Sequence, residues 1–124
     1  MDRSREDEIR GRLDEIAGPD PGPPERALLV RLIRSFSTKT PAGVDRLAEL
    51  MRGGDREAVQ DHAHGLKGSA SNIGADRLSA IFAEVEHAAR DGVVPDPDVT
   101  LGWICAEQAL VLGTLERVAA ELEN

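Results

Sequence analysis

His64 is followed by Lys67 at i+3 and Gly68 at i+4, within the run Ala63-His64-Gly65-Leu66-Lys67-Gly68-Ser69. On a helix those two residues are the imidazole's neighbours on the next turn, so the ring has a cation on one side and no side chain on the other. Imidazole is a nucleophile in its neutral form, which is well populated at cellular pH. Phosphoryl transfer is governed by in-line positioning and by neutralising charge on the equatorial oxygens. The candidate roles are therefore phosphoryl acceptor and donor for His64, charge neutralisation for Lys67 and steric access for Gly68.

The chain around His64 has the pattern of a helix that must hold this group outward. Val59, Ala63, Leu66, Ala70 and Ile73 are spaced by alternating fours and threes, which makes one narrow apolar stripe facing a core. At about 100° per residue His64 falls roughly 140° from the centre of that stripe. Gln60, Lys67, Gly68 and Ser71 cluster around the same outward direction, and Gln60 and Ser71 are candidate partner contacts. Glycine inside a helix costs about 1 kcal/mol relative to alanine, and both Gly65 and Gly68 lie well away from the helix ends. Bulk is absent there either for helix packing or for the approach of another molecule. The outward direction of Gly68 favours the second.

Plainer readings apply to the other reactive side chains. A lone exposed histidine is usually only a surface residue, and it is the company of Lys67 and Gly68 that sets His64 apart. His62 falls at the edge of the core stripe and His87 on the solvated side of its own helix. His62 and His64 diverge by about 200° on a helix and cannot chelate one metal ion. Gly65-Leu66-Lys67-Gly68-Ser69 lacks the order of a phosphate-binding loop and has no preceding strand. Cys105 is expected to be buried packing in the last helix, with no adjacent cation to activate it.

Six helices are predicted, and no segment has strand periodicity. The first runs from about Ser4 to Ala17, with Ser4 and Asp7 in a capping-box pattern and Ile9, Leu13 and Ile16 as its stripe. The proline-rich run 18–24 is a stiff connector. Leu28, Leu29, Leu32, Ile33 and Phe36 mark a second helix, and Thr40-Pro41 reads as the cap of a third that ends at Gly53-Gly54. Asp55 caps the fourth, which carries His64 through about Asn72, and Gly74 breaks it from a fifth with Leu78, Ile81, Phe82 and Val85 that ends near Asp91-Gly92. Asp96-Pro97 opens the last, with a stripe of Leu101, Ile104, Cys105, Val111, Leu112, Leu115, Val118 and Leu122. Trp103 and Leu110 lie roughly opposite that stripe; they are expected to receive the first helix, with a homodimer seam as the alternative to a monomer.

Composition narrows the partners. A length of 124 residues fits one fold; 40% apolar residues argues against wholesale disorder, and no apolar run reaches membrane-spanning length. A net charge of −8 disfavours nucleic acid and anionic membranes, which are bound through clustered Lys and Arg. Aromatic residues make up only 2%, which disfavours base-stacking platforms. A protein partner is expected instead. No signal-peptide pattern opens the chain and its one cysteine cannot form an internal disulfide, so a cytoplasmic location is expected. The capped first helix and the complete last helix read as a free-standing protein in preference to a portion of a hybrid kinase.

The run from Ala63 to Ala75 resembles the signature of the histidine-containing phosphotransfer (HPt) family, His-x-Leu-Lys-Gly followed by a Gly-Ala pair, here Gly74-Ala75. Leu78 and Glu86 stand where that family usually has a leucine and a glutamate, and the resemblance spans roughly residues 26 to 122. It implies an all-α fold, an antiparallel up-down four-helix bundle built from the second, fourth, fifth and sixth helices, with an additional N-terminal helix or helices. Residues 1–24 would be an N-terminal helix and connector, and 25–124 the bundle. The resemblance implies phosphorylation of His64 at an imidazole nitrogen and reversible exchange with a response-regulator receiver domain or a hybrid histidine kinase. Mg²⁺ would be held by the receiver, and this chain would bind no cofactor. Gly65 departs from the family, where many members have a larger residue. The chain has no Gly-rich nucleotide site, so ATP-dependent kinase activity of its own is not expected. Val30 is a further candidate for the receiver-docking patch. The alternative function is a helical adaptor that binds a receiver or kinase without accepting phosphate.

Overall fold

The structure is a computed structural model and describes residues 4–124; the reading of Met1 to Arg3 lies outside the described residues. Among the described residues it contains five helices and no strand: α1 (Arg5–Ala17), α2 (Pro23–Gly53), α3 (Arg56–Asn72), α4 (Asp76–Arg90) and α5 (Pro97–Glu123). The helix starts are those the capping residues dictate. Ser4 accepts from the Asp7 amide, Asp55 from that of Ala58, and Asp96 from those of Asp98 and Val99.

The second and third predicted helices are one continuous helix, so five helices replace six. Thr40-Pro41 does not start a helix; Pro41 lies inside α2. The buried positions Leu29, Ile33, Phe36, Thr40, Val44, Leu47 and Met51 explain why. Their spacing of fours and threes runs through Pro41 without a change of phase, so one straight stripe can be buried only if the helix continues. A proline inside a helix costs about 3 kcal/mol, and burying Val44, Leu47 and Met51 in register contributes about 1.5 to 3 kcal/mol each. Packing outweighs the missing N–H.

α2, α3, α4 and α5 form an antiparallel up-down bundle in which α3 and α5 each pack on both α2 and α4. Arg26 near the start of α2 donates to the carbonyls of Glu121, Leu122 and Asn124 at the end of α5, while Arg52 at the end of α2 pairs with Asp98 at the start of α5. With 31 and 27 residues, α2 and α5 outreach α3 and α4, which have 17 and 15. A step is left above the α3–α4 turn. α1 fills it, contacting α2, α4 and α5, and its Ile9 and Leu13 join the same core as the bundle helices. A bidentate Arg5–Glu107 pair at 2.5 and 2.7 Å, Arg10–Glu121, and Glu6 with Arg117 hold it against α5.

This placement overturns two expectations. α1 does not cover Trp103 and Leu110, which remain 58% and 53% exposed. The step gives Ile9 and Leu13 a deeper seat than the outer face of α5 would. Cys105 is exposed rather than part of the core stripe; the buried positions of α5 are Thr100, Leu101, Ile104, Val111, Thr114, Leu115, Val118 and Ala119, with Leu112 and Leu122 partly buried.

Gly74 locks the turn and the step together. Its φ of +82° is a conformation that side chains disfavour, and a Cβ there would lie 2.7 Å from both the Arg12 Cβ and the Glu8 carbonyl oxygen of α1. Gly74→Ala is therefore expected to destabilise the protein by about 2 to 4 kcal/mol, through backbone strain and displacement of α1. Urea unfolding measures this, and a change under about 0.5 kcal/mol would contradict the seat described for α1.

Candidate functional site

α3 presents its apolar stripe as the sequence requires: Val59, Ala63, Leu66, Ala70 and Ile73 are all buried. The opposite consequence follows for His64, whose side chain is 67% exposed. Gln60 is half-buried, Lys67 half-buried and Gly68 and Ser71 exposed on the same outward side of α3. A Cβ on Gly68 would meet nothing within 4 Å, and the same is true of Gly65. Neither glycine is needed for close packing of this chain against itself. The gap beside His64 opens on solvent.

The residue that organises this surface comes from the next helix. Glu86 of α4 is 3% exposed, and its two carboxylate oxygens are divided between the two functional candidates of α3. His64 Nδ1 lies 2.7 Å from Oε2, and Lys67 Nζ donates to Oε1 at 2.6 Å. Arg90, one turn further along α4, approaches Oε2 at 3.4 Å. The hydroxyl of Ser79 donates to the Lys67 carbonyl at 3.1 Å, fixing the start of α4 against the same stretch of α3.

These contacts settle the electrostatics. Lys67 first, and His64 after it, hold the Glu86 carboxyl below the ordinary glutamate range, against the upward push of desolvation. Glu86 is thus an anion at neutral pH and can only accept hydrogen bonds. In the neutral ring the proton must then sit on Nδ1, and Nε2 keeps its lone pair on the exposed side. The arrangement presents one oriented nucleophilic nitrogen, a neighbouring ammonium with two further N–H donors, and open space at Gly68.

The sequence reading gives Glu86 no role at the site, although its match to the family pattern is visible there. The signal was a carboxylate set among the buried Phe82, Val85 and Ala89 of α4. Such a charge needs a partner, but periodicity on one helix does not say which neighbour supplies it. His62 occupies the stripe edge as expected, with its Nε2 at 2.8 Å from the Gly43 carbonyl of α2. His87 is exposed.

Val30 is not brought to this site. It lines a groove with Arg26, Arg34 and the end of α5, whereas the part of α2 beside His62 and Leu66 is Gly43. Thirteen residues of helix, about 20 Å, separate the two. Among the described residues no cluster of three or more His, Cys, Asp or Glu could hold a metal ion, and no helix is long and apolar enough to cross a membrane.

No curated protein and no solved structure matches the chain. The family model described as "Hpt domain" matches residues 31–124, well over half of the sequence and all of α3 and α4. On that match, and with an all-helical bundle to accommodate it, the chain belongs to the Hpt domain family, whose role is phosphotransfer in two-component signalling.

Proposed function

We propose that this protein is a phosphocarrier in which His64 Nε2 receives a phosphoryl group from a receiver-domain aspartate or a histidine kinase and delivers it to another receiver. The observation that carries this reading is the bond between His64 Nδ1 and the buried Glu86 carboxylate, at 2.7 Å. It orients the ring and directs the lone pair of Nε2 outward. In the transfer the Nε2 lone pair attacks phosphorus in line with the aspartyl oxygen. The N–P bond forms as the P–O bond breaks, and the bonding electrons leave with the aspartate carboxylate. The ring keeps its Nδ1 proton and becomes cationic, and the Glu86 carboxylate next to it stabilises that charge. Reversal returns the group to a second receiver.

Lys67 neutralises phosphoryl oxygens with the N–H groups it does not give to Glu86, and Gly68 admits the partner's active site. Gln60 and Ser71 flank the contact. Mg²⁺ comes with the receiver, and the residues of this chain supply the nucleophile and its orientation. The phosphotransfer unit is α2 to α5, with α1 completing its core. Hpt domains are phosphocarriers and not kinases, so the chain acts as an intermediate in catalysis supplied by its partners.

The test is to incubate the protein with a panel of phosphorylated receiver domains and map any transferred label. The expected label is acid-labile, base-stable and confined to the peptide containing His64. Binding to receivers without any label would replace the carrier by the adaptor reading.

A further inference from the structure

Helix α5 is apolar on both of its sides. From Val99 to Leu115 its one charged residue is Glu107, and that carboxylate is occupied by the bidentate bond from Arg5 of the same chain. One side of α5 is in the core. On the outside Val99, Trp103 and Leu110 are 51%, 58% and 53% exposed, and with Ala106 they are spaced by four, three and four residues. That is the spacing of a helix-packing seam, and among the described residues no helix lies on it. A surface helix normally has one polar side, so this second apolar side is built to be covered.

We infer that the cover is a second copy of this chain, related by a two-fold axis that passes between Ala106 and Glu107. Trp103 and Leu110 lie symmetrically about that point. In an antiparallel α5–α5 pair the indole of each copy therefore falls opposite the Leu110 of the other, with the small Ala106 at the crossing. A surface that is its own complement under a two-fold axis is what an isologous dimer requires. The area is also sufficient. The three large side chains and the small residues around them offer roughly 500 Å² per copy, the size of the largest apolar patch on a single protein, which is often functional. Two copies that cover the patch fully would bury up to roughly 1,000 Å², the lower bound of a specific interface and the range of weak, reversible dimers.

The bundle gives this dimer a functional geometry. α3 and α5 each pack on α2 and α4 and so lie across the bundle from one another. Pairing through α5 leaves both His64 side chains on outward faces, and each copy can meet a receiver without parting from its twin. That consequence rests on the phosphocarrier reading, whereas the pairing itself does not.

The experiment is sedimentation equilibrium of the full chain at physiological salt, where repulsion between copies of charge −8 is screened, over low micromolar to about 0.5 mM protein. The emission of Trp103, the chain's sole tryptophan, is followed over the same range. Wild-type mass is expected to double with concentration while the emission shifts to the blue. Leu110→Glu should stay monomeric with a fixed red emission, unchanged helical circular dichroism and unchanged acceptance of label at His64. A wild-type chain monomeric throughout, or a dimer that survives Leu110→Glu with Trp103 still in water, would overturn the inference. Mass and emission are read without any phosphoryl transfer, so failure of the carrier reading leaves this result interpretable.

Discussion

Gly68→Gln is expected to slow phosphoryl transfer to His64 by at least about 100-fold, the scale of loss when reacting groups are displaced by an ångström or more, while making the protein more stable. The two effects have separate causes. A Cβ at position 68 would meet nothing in this chain within 4 Å, so a longer side chain can start there without strain and removes the conformational freedom of a glycine within α3. That change contributes about 0.5 to 1 kcal/mol, or a few degrees in Tm. On the phosphocarrier reading proposed above, the same open space is where a receiver's aspartyl phosphate would meet Nε2, and the glutamine would fill it. Stopped-flow transfer from a phosphorylated receiver and a thermal melt read the two quantities. Opposite signs identify Gly68 as an opening for a partner, whereas a loss of stability would mean that the glycine serves internal packing.

Glu86→Leu is expected to slow transfer by about 10- to 100-fold, the range typical of lost acid–base and charge-stabilising groups, with a much smaller change in stability. Leucine is similar in volume and suits a position that is 3% exposed, and replacing a buried ion cluster by a packed apolar group is often near neutral. Lys67 and His64 can turn to solvent, being 30% and 67% exposed. What is lost is the acceptor bonded to His64 Nδ1, which in the proposed mechanism balances the charge of the phosphorylated ring. Glu86→Gln keeps an acceptor oxygen without the charge, so it should recover part of the rate. A transfer rate unchanged by Glu86→Leu would remove Glu86 from the mechanism.

The depressed carboxyl of Glu86 also sets a pH signature. A group whose folded pKa lies below its unfolded value contributes stability that is complete above the unfolded value and is lost as pH falls through the folded one. Wild type and Glu86→Gln should therefore differ most in urea stability near neutral pH and converge in acid, below the ordinary glutamate range.

Much of the site was legible in the sequence because α3 is regular. The alternating spacing from Val59 to Ile73 defines the inward side of that helix and hence the outward direction of His64, and Asp55 marks its start. Less legible was whatever depended on a neighbouring helix. Thr40-Pro41 has the local form of a helix start, yet the in-phase stripe from Leu29 to Met51 carries α2 through it. Trp103 and Leu110 needed a partner, but pattern alone could not reveal that the long α2 and α5 leave α1 a better seat above Gly74. Glu86 followed the same logic, since its partners Lys67 and His64 lie on another helix, 19 and 22 residues away in sequence.

The central claim is that Nε2 of His64 is the atom that carries the phosphoryl group. Nitrogen-15 and phosphorus-31 NMR of the histidine-labelled protein, phosphorylated by a cognate receiver, tests it at the level of the atom. The expected spectrum shows phosphorus coupled to Nε2 of one histidine, with Nδ1 still protonated and bonded to Glu86, and no signal in His64→Gln. Phosphorus on Nδ1, on His62 or His87, or persisting in His64→Gln would contradict the account.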